Sequence, residues 1–148
     1  MSKTVGVPFE TTLLVRDRCL CLHVQRAARV LARRFDEVLR PLDLTNGQFS
    51  LLMSLNRPEP PGMGGVAQLL AMDRTTLTAA LKPLERRGLL TVTADKDDRR
   101  NRLIKLTAAG RRLLAKAVPI WTETHAAIEA TLPAADPDRL RGNLRALS

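Results

Sequence analysis

The 148-residue sequence predicts a mostly α-helical domain with a single β-hairpin. Three observations predict this fold class. Apolar residues recur every three or four positions along most of the chain, which is the period of amphipathic helices. Capping and turn residues divide these stretches into helices of ordinary length. Two short runs of aliphatic and β-branched residues flank one charged segment, which is the pattern of a hairpin.

The first predicted helix is long and amphipathic and covers about residues 16–40. Pro41 ends it, because proline disfavours the helical conformation of the residue before it. Its apolar stripe consists of Leu20, Val24, Ala27, Ala28, Leu31, Phe35, Val38 and Leu39. Thr45 and Gln48 then fit a capping box, in which each side chain bonds an exposed backbone N–H group. A second, shorter helix follows over the apolar run 49–55.

Two further short helices come in close succession. The apolar residues of segment 66–70 predict the first of them. Asp73 suits the N-cap of the second, which covers about residues 74–87 and ends at Gly88. Pro83 is expected to kink this helix or tighten its last turn, because it lacks an N–H group. Such a pair predicts a helix-turn-helix.

A hairpin and two more helices complete the predicted fold. Segments 89–94 and 102–107 read as strands around the long, charged tip 95–101, which makes the hairpin a wing. Thr107 can cap a fifth helix, and a sixth begins at Asp136. The fold class is therefore a winged helix-turn-helix with additional helices at both ends.

Composition limits the classes of function. A formal net charge of +9 favours a polyanionic partner such as nucleic acid, although the charge could also serve solubility alone. Cys19 and Cys21 do not form a disulfide framework, and no apolar stretch is long enough for a signal peptide or a membrane span, so we expect a cytoplasmic protein. Neither a phosphate-binding glycine loop nor a catalytic triad is recognisable, so we expect no enzyme and no cofactor.

Three segments resemble the MarR family in order and spacing. They are residues 66–90, the sequence Asp98-Arg99-Arg100, and the sequence Leu106-Thr107-Ala108-Ala109-Gly110. The resemblance covers roughly residues 16–130. It implies a transcriptional regulator with one MarR-type domain over residues 1–148. Within it, the resemblance implies a DNA-binding lobe at about 45–107 and dimerisation helices at about 10–40 and 108–148.

One face of the second helix of the helix-turn-helix suits DNA recognition. At about 100° per residue, Thr75, Ala79, Lys82 and Arg86 lie opposite the leucine stripe, and Thr78 flanks them. Hydroxyl groups can contact base edges, and cations can contact phosphates or guanine. The alternative is an ordinary solvated helix face. The predicted DNA contacts are Arg74, Thr75, Thr76, Thr78, Lys82, Arg86, Arg99 and Arg100.

The two arginines of the wing tip are expected to have different roles. One of Arg99 and Arg100 is expected to pair with Asp98 and fix the tip, while the other reaches the minor groove. The residues leave open which does which, and the resemblance implies Arg100 as the groove reader. The alternative is a mobile hairpin in which Asp95, Asp97 and Asp98 repel phosphate.

A single recognition helix buries too little surface for high specificity, so we expect a homodimer that reads an inverted repeat in double-stranded DNA. The alternative of a different class is a winged-helix module for protein interaction. The resemblance implies a dimer interface built from both ends of the chain. Apolar residues available there are Leu13, Leu14, Ile128, Leu132, Leu140, Leu144 and Leu147, which could instead pack within one subunit.

The resemblance also implies a pocket for a small aromatic or phenolic effector. Candidate lining residues, of types that are more often core than ligand contacts, are His23, Phe49, Met53, Trp121 and His125. We expect the effector to release a repressor from DNA.

Redox sensing is the alternative switch. Cys21 stands 24 residues before Thr45, the spacing of the reactive cysteine in hydroperoxide-sensing members of the family. Those proteins activate the thiolate with tyrosines, and this chain has none. Burial on an apolar-striped helix would keep the thiol inert, whereas Arg18 and Arg26 could activate it. No metal site is expected, because Cys19 has no further ligands beyond a histidine four residues on.

Overall fold

The computed structural model of the chain describes residues 6–148. The chain divides into two compact units, one ending at Arg34 and the other spanning Phe35–Ser148. The described residues form α1 (Phe9–Arg18), α2 (Leu20–Leu39), a 3-10 turn (Arg40–Leu42), α3 (Asn46–Ser54), α4 (Met63–Leu69), α5 (Arg74–Arg86), β1 (Leu90–Ala94), β2 (Arg102–Leu106), α6 (Ala108–Glu129) and α7 (Asp136–Ala146). The predicted fold class is confirmed. No helix in this part of the chain is long and apolar enough to span a bilayer.

The first predicted helix, over residues 16–40, is wrong in one respect, because it is interrupted at Cys19. This residue has extended backbone angles (φ −68°, ψ 109°) and separates α1 from α2. Its sulfur accepts the N–H of Leu22 at 3.4 Å, and its carbonyl accepts both the backbone N–H and the Nδ1–H of His23 at 3.1 and 2.7 Å. These bonds satisfy polar groups at the start of α2. Hydrophobic periodicity does not reveal the break, because a single extended residue leaves the apolar pattern on either side intact. The predicted end is confirmed, since α2 stops two residues before Pro41.

Local capping sets the starts of α3 and α5, as predicted. Thr45 Oγ1 accepts the N–H of Gln48 at 3.2 Å, and Gln48 Oε1 accepts the N–H of Thr45 at 3.1 Å, which completes the capping box of α3. Asp73 Oδ1 accepts the N–H of Thr76 at 2.7 Å and caps α5. The chain leaves α5 through Gly88, whose φ of 71° is a left-handed conformation that glycine adopts without a steric penalty.

The wing is an antiparallel pair of strands that pairs Leu90 with Leu106 and Val92 with Ile104. Glu85 on α5 accepts the outward-facing N–H of Val92 at 3.1 Å. This hydrogen bond links the wing directly to α5, and these are the two elements predicted to contact DNA.

The hydrophobic core of the unit Phe35–Ser148 draws on the end of α2, on α3 to α6 and on both strands. Its largest fully buried side chains are Leu39, Leu52, Val66, Leu77, Leu84, Leu90 and Ile104. Each such side chain contributes about 1.5–3 kcal/mol through burial. Because α5 buries its leucines in this core, the opposite face of the helix is exposed to solvent.

Hydrogen bonds and a close backbone contact join the end of α5 to the start of α6. Thr107 Oγ1 donates to the carbonyl of Gly88 at 2.6 Å and accepts the N–H of Gly110 at 3.0 Å. A Cβ atom on Gly110 would lie 2.1 Å from the carbonyl oxygen of Leu89. The threonine and the glycine of this sequence are therefore required by hydrogen bonding and by close backbone approach.

Candidate nucleic-acid interface

The outer surface of α5 carries every DNA contact predicted on that helix. The helix buries Leu77, Leu81 and Leu84. The exposed side chains are Arg74, Thr75, Thr76, Thr78, Lys82 and Arg86. Small, exposed Ala79 lies among them and leaves room for close approach of a ligand.

The structure distinguishes the three threonines of this surface. Thr76 donates its hydroxyl to Asp73 Oδ2 at 2.8 Å, and Thr78 donates its hydroxyl to the carbonyl of Arg74 at 2.7 Å. Thr75 has no side-chain hydrogen bond with any described residue. Its hydroxyl therefore keeps both donor and acceptor capacity for a base edge, whereas that of Thr78 keeps only acceptor capacity.

Asp73 organises the start of this surface. The backbone N–H of Thr76 and then its hydroxyl hold the pKa of the Asp73 carboxyl below its ordinary value. The carboxylate is thereby kept charged at the N-terminus of α5. There it interacts favourably with the helix dipole and accepts the otherwise unpaired N–H of Thr76.

The cations of α5 are free for an anionic ligand. Neither Lys82 nor Arg86 forms an ion pair with any of residues 6–148. The guanidinium of Arg74 lies above α4, where a Cβ atom on Gly64 would come within 3.0 Å of its Nη2 atom.

At the wing tip, the predicted pairing of Asp98 with a guanidinium is wrong. Asp98 Oδ1 accepts the backbone N–H of Arg100 at 3.1 Å, and Asp95 Oδ1 accepts that of Asp97 at 3.0 Å. A short carboxylate reaches a backbone N–H two residues on without immobilising a long side chain. Arg99 and Arg100 are both exposed, and neither forms an ion pair within the described part of the chain.

The apolar residues proposed for a dimer interface are mostly exposed in the single chain. Leu13 and Ile128 are half-buried. The exposed members are Leu14, Leu132, Leu140, Leu144 and Leu147. Arg141 bonds both Glu129 and Asp138 at 2.5 Å and ties α7 to α6.

Three of the five candidate effector residues meet in one cleft. Phe49, Met53 and Trp121 line a cavity of about 410 Å³. The rings of Phe49 and Trp121 stack with their centroids 6.4 Å apart. His125 stacks on Trp121 at 4.6 Å but is not part of the lining. His23 belongs to the other unit.

Serines and aliphatic side chains complete the walls of this cleft, namely Ser50, Ser54, Leu69, Leu70 and Val118. The cleft thus combines apolar walls with a few hydroxyl groups, the usual composition of a small-molecule site. Among the described residues, no three His, Cys, Asp or Glu side chains are placed to hold a metal ion.

The expected burial of Cys21 is wrong, because its side chain is exposed in the single chain. Gln25 Nε2 donates to the sulfur at 3.0 Å, and Arg29 Nη2 donates to Gln25 Oε1 at 3.0 Å. This chain of contacts reaches Arg29 rather than Arg18 or Arg26. The i, i+4, i+8 spacing of the three side chains was the sequence signal that could have identified it.

Comparisons with known proteins agree with this architecture. A model of the MarR family matches residues 44–101. The chain is 33% identical over 101 residues to the organic hydroperoxide resistance transcriptional regulator of Bacillus subtilis, covering 68% of this chain and 69% of that protein.

Two solved structures are similar over most of their length. One is the M. tuberculosis transcriptional regulator MosR in complex with DNA, with 39% identity, a TM-score of 0.80, and coverage of 88% of this chain and 93% of that one. The other is CouR from Rhodococcus jostii RHA1 bound to p-coumaroyl-CoA, with 27% identity, a TM-score of 0.74, and coverage of 84% and 87%.

Proposed function

This chain belongs to the MarR family, and we propose from that premise that it is a sequence-specific DNA-binding transcriptional regulator, a repressor released by a small-molecule effector. The observation that carries the proposal is the exposed polar and basic face of α5, attached through Glu85 to a wing whose two arginines have no ion pair with any of residues 6–148. The similarity to MosR, which was solved with DNA, supports it.

In this proposal α5 enters the major groove. The free hydroxyl of Thr75 and the acceptor of Thr78 contact base edges, while Lys82 and Arg86 contact phosphates or guanine. Arg100 enters the adjacent minor groove, where the negative potential of a narrow groove attracts a guanidinium.

The functional unit is proposed to be a homodimer on an inverted repeat. The DNA-binding lobe covers about residues 45–107, and the helices on either side of it form the dimer interface. Two recognition helices then meet half-sites whose centres are ~34 Å apart, one turn of the duplex.

Selection of genomic fragments with the purified full-length protein tests DNA binding and finds the operator together. We expect enrichment of an inverted repeat and an affinity that falls steeply with salt, because each neutralised phosphate releases counterions. A protein-interaction module would enrich no sequence and would show no salt-sensitive binding to duplex DNA.

The effector is proposed to be a small aromatic or phenolic molecule held in the cleft of Phe49, Met53 and Trp121. The stacked rings of Phe49 and Trp121 offer an aromatic face, and CouR, a similar protein, has been solved with p-coumaroyl-CoA. Because Trp121 is the only tryptophan, its fluorescence reports binding in the cleft. An effector that quenches this fluorescence should release operator DNA, and the Met53→Phe variant, which narrows the cleft without adding a second tryptophan, should resist both effects.

Redox sensing by Cys21 is a second candidate, favoured by the exposed thiol, its hydrogen bond from Gln25, and the similarity to the B. subtilis hydroperoxide regulator. A thiolate would attack one peroxide oxygen, forming an S–O bond while the O–O bond breaks and the alcohol leaves, which gives a sulfenate. A Cys19→Ser, Cys21→Ser variant separates the two switches. If hydroperoxide releases wild type from operator at roughly stoichiometric doses but not this variant, the redox switch is supported.

A further inference from the structure

Two adjacent arginines at the end of α5 have different surroundings. Arg86 is exposed and forms neither an ion pair nor a side-chain hydrogen bond with any of residues 6–148. Arg87 Nη1 donates to the carbonyl of Asp43 at 2.6 Å, and its Nη2 donates to the carbonyl of Leu42 at 3.4 Å. Its side chain is 31% exposed, and its Nη2 also lies 4.0 Å from a carboxylate oxygen of Asp43, at the limit of an ion pair.

The carbonyls that Arg87 binds lie just after α2, in and beside the 3-10 turn Arg40–Leu42. The carbonyls at a helix end have no partner within the helix and need an outside donor. Asp43 adopts a left-handed conformation with a φ of 53°, so the chain reverses direction there. A planar guanidinium with donors in a fixed fork can satisfy two neighbouring carbonyls at once.

The backbone from which Arg87 extends is also held in place. Its N–H donates to the carbonyl of Pro83 at 3.1 Å, and the N–H of Leu89 donates to that of Leu84 at 3.0 Å. Gly88 between them has the left-handed conformation that closes the helix. The direction of the Arg87 side chain is therefore set by the end of α5 itself.

The other side of the turn is anchored independently. Asp36 Oδ1, near the end of α2, accepts the backbone N–H and the side-chain amide of Asn46 at 2.7 and 2.8 Å. These bonds hold the end of α2 against the start of α3. Asp36 and Arg87 both line a cavity of about 350 Å³ beside this turn.

We propose that Arg87 is a positioning residue for DNA recognition, which fixes the angle of α5 relative to the end of α2 without touching DNA. This role rests on the proposed function, since an angle matters only if α5 reads a duplex. Arg86, with the same charge one residue earlier, is the matched phosphate-contact control.

The test compares wild type with the Arg87→Ala, Arg87→Lys and Arg86→Ala variants. For each, affinity for the selected operator and for an unrelated duplex of equal length is measured over a salt series, with circular dichroism giving the folded fraction. We expect Arg87→Ala to lose about tenfold in operator affinity, with binding to the unrelated duplex and the salt slope nearly unchanged. Arg87→Lys should behave similarly, because lysine lacks the fork. Arg86→Ala should weaken both complexes and lower the salt slope by about one unit.

The ratio of operator affinity to unrelated-duplex affinity decides the outcome, because a smaller folded fraction lowers both affinities equally and leaves their ratio unchanged. An unchanged ratio in Arg87→Ala overturns the positioning role. Full rescue by Arg87→Lys, or a salt slope lowered as in Arg86→Ala, shows that Arg87 acts through its charge and also overturns it. Failure of wild type to bind any duplex would overturn the proposed function, and this role with it.

Discussion

Asp36 has a lowered pKa because the backbone N–H of Asn46, and then its side-chain amide, donate to the carboxylate. Nearby Arg40 adds to the effect, and partial burial opposes it. A carboxyl whose pKa is lowered by folding stabilises the fold at pH values above its ordinary pKa of 3.8. That contribution is lost as pH falls through the lower pKa of the folded state.

We therefore expect Asp36→Ala to lower the free energy of unfolding by about 1.5–3 kcal/mol at neutral pH, the range for hydrogen bonds to a charged group. The difference from wild type should shrink below about pH 4, where the carboxyl begins to be protonated. Urea unfolding at a series of pH values measures both. Glu37→Ala, at an exposed neighbour, is the control. A destabilisation that stays constant down to pH 2.5 would mean that the charge of Asp36 has no part in it.

Gly110 is the position least able to accept a side chain, since a Cβ there would lie 2.1 Å from the backbone oxygen of Leu89. Backbone cannot swing aside as a flexible side chain can, so we expect Gly110→Ala to cost about 2–4 kcal/mol of stability. Gly47 in α3 has nothing within 4 Å of the same position, and Gly47→Ala should be neutral or stabilise by up to about 1 kcal/mol. Thermal unfolding of the two variants compares them directly, and equal melting temperatures would refute the close-approach explanation.

At the scale of elements, α5 and the wing are expected to contribute differently to DNA affinity. Lys82→Ala should lower the salt slope of binding by about one unit if Lys82 neutralises a phosphate. Arg100→Ala should weaken operator binding by about 1 kcal/mol or more through the minor groove. Both side chains are exposed and lack ion pairs with described residues, so stability should not change.

Fluorescence anisotropy with labelled operator over a salt series measures both effects. Lys116→Ala on α6 removes the same charge outside the proposed DNA-binding lobe, at an exposed residue without an ion pair to any described residue, and should leave the slope as in wild type. If Lys82→Ala and Arg100→Ala bind as wild type does at every salt concentration, these two contacts are not part of the interface.

At the scale of the whole molecule, the exposed leucines of α7 support the proposed dimer. Replacing Leu140 and Leu144 by glutamate should give a folded monomer, because buried charges without partners strongly oppose association. Operator affinity should fall about a hundredfold or more, since the second recognition helix is then no longer held beside its half-site. Analytical ultracentrifugation and operator titration measure the two effects. A double variant that stays dimeric would place the interface elsewhere.

Local sequence alone determined where most elements begin and end. The capping residues Thr45, Asp73 and Thr107 and the terminator Gly88 were all identified correctly, because a cap depends on backbone groups within a few positions. Hydrophobic periodicity likewise identified the buried stripe of α5. It missed the break at Cys19, where one extended residue leaves the apolar pattern on either side intact.

The tertiary structure decided what each polar side chain binds. Asp98 takes a backbone N–H instead of a guanidinium, and Cys21 is exposed despite its apolar-striped helix. Identical charges on Arg86 and Arg87 lead to different surroundings, because the carbonyl that Arg87 binds at 2.6 Å belongs to a residue 44 positions earlier. Hydrogen bonds require distances near 3 Å, and only the folded chain determines which distant groups come that close.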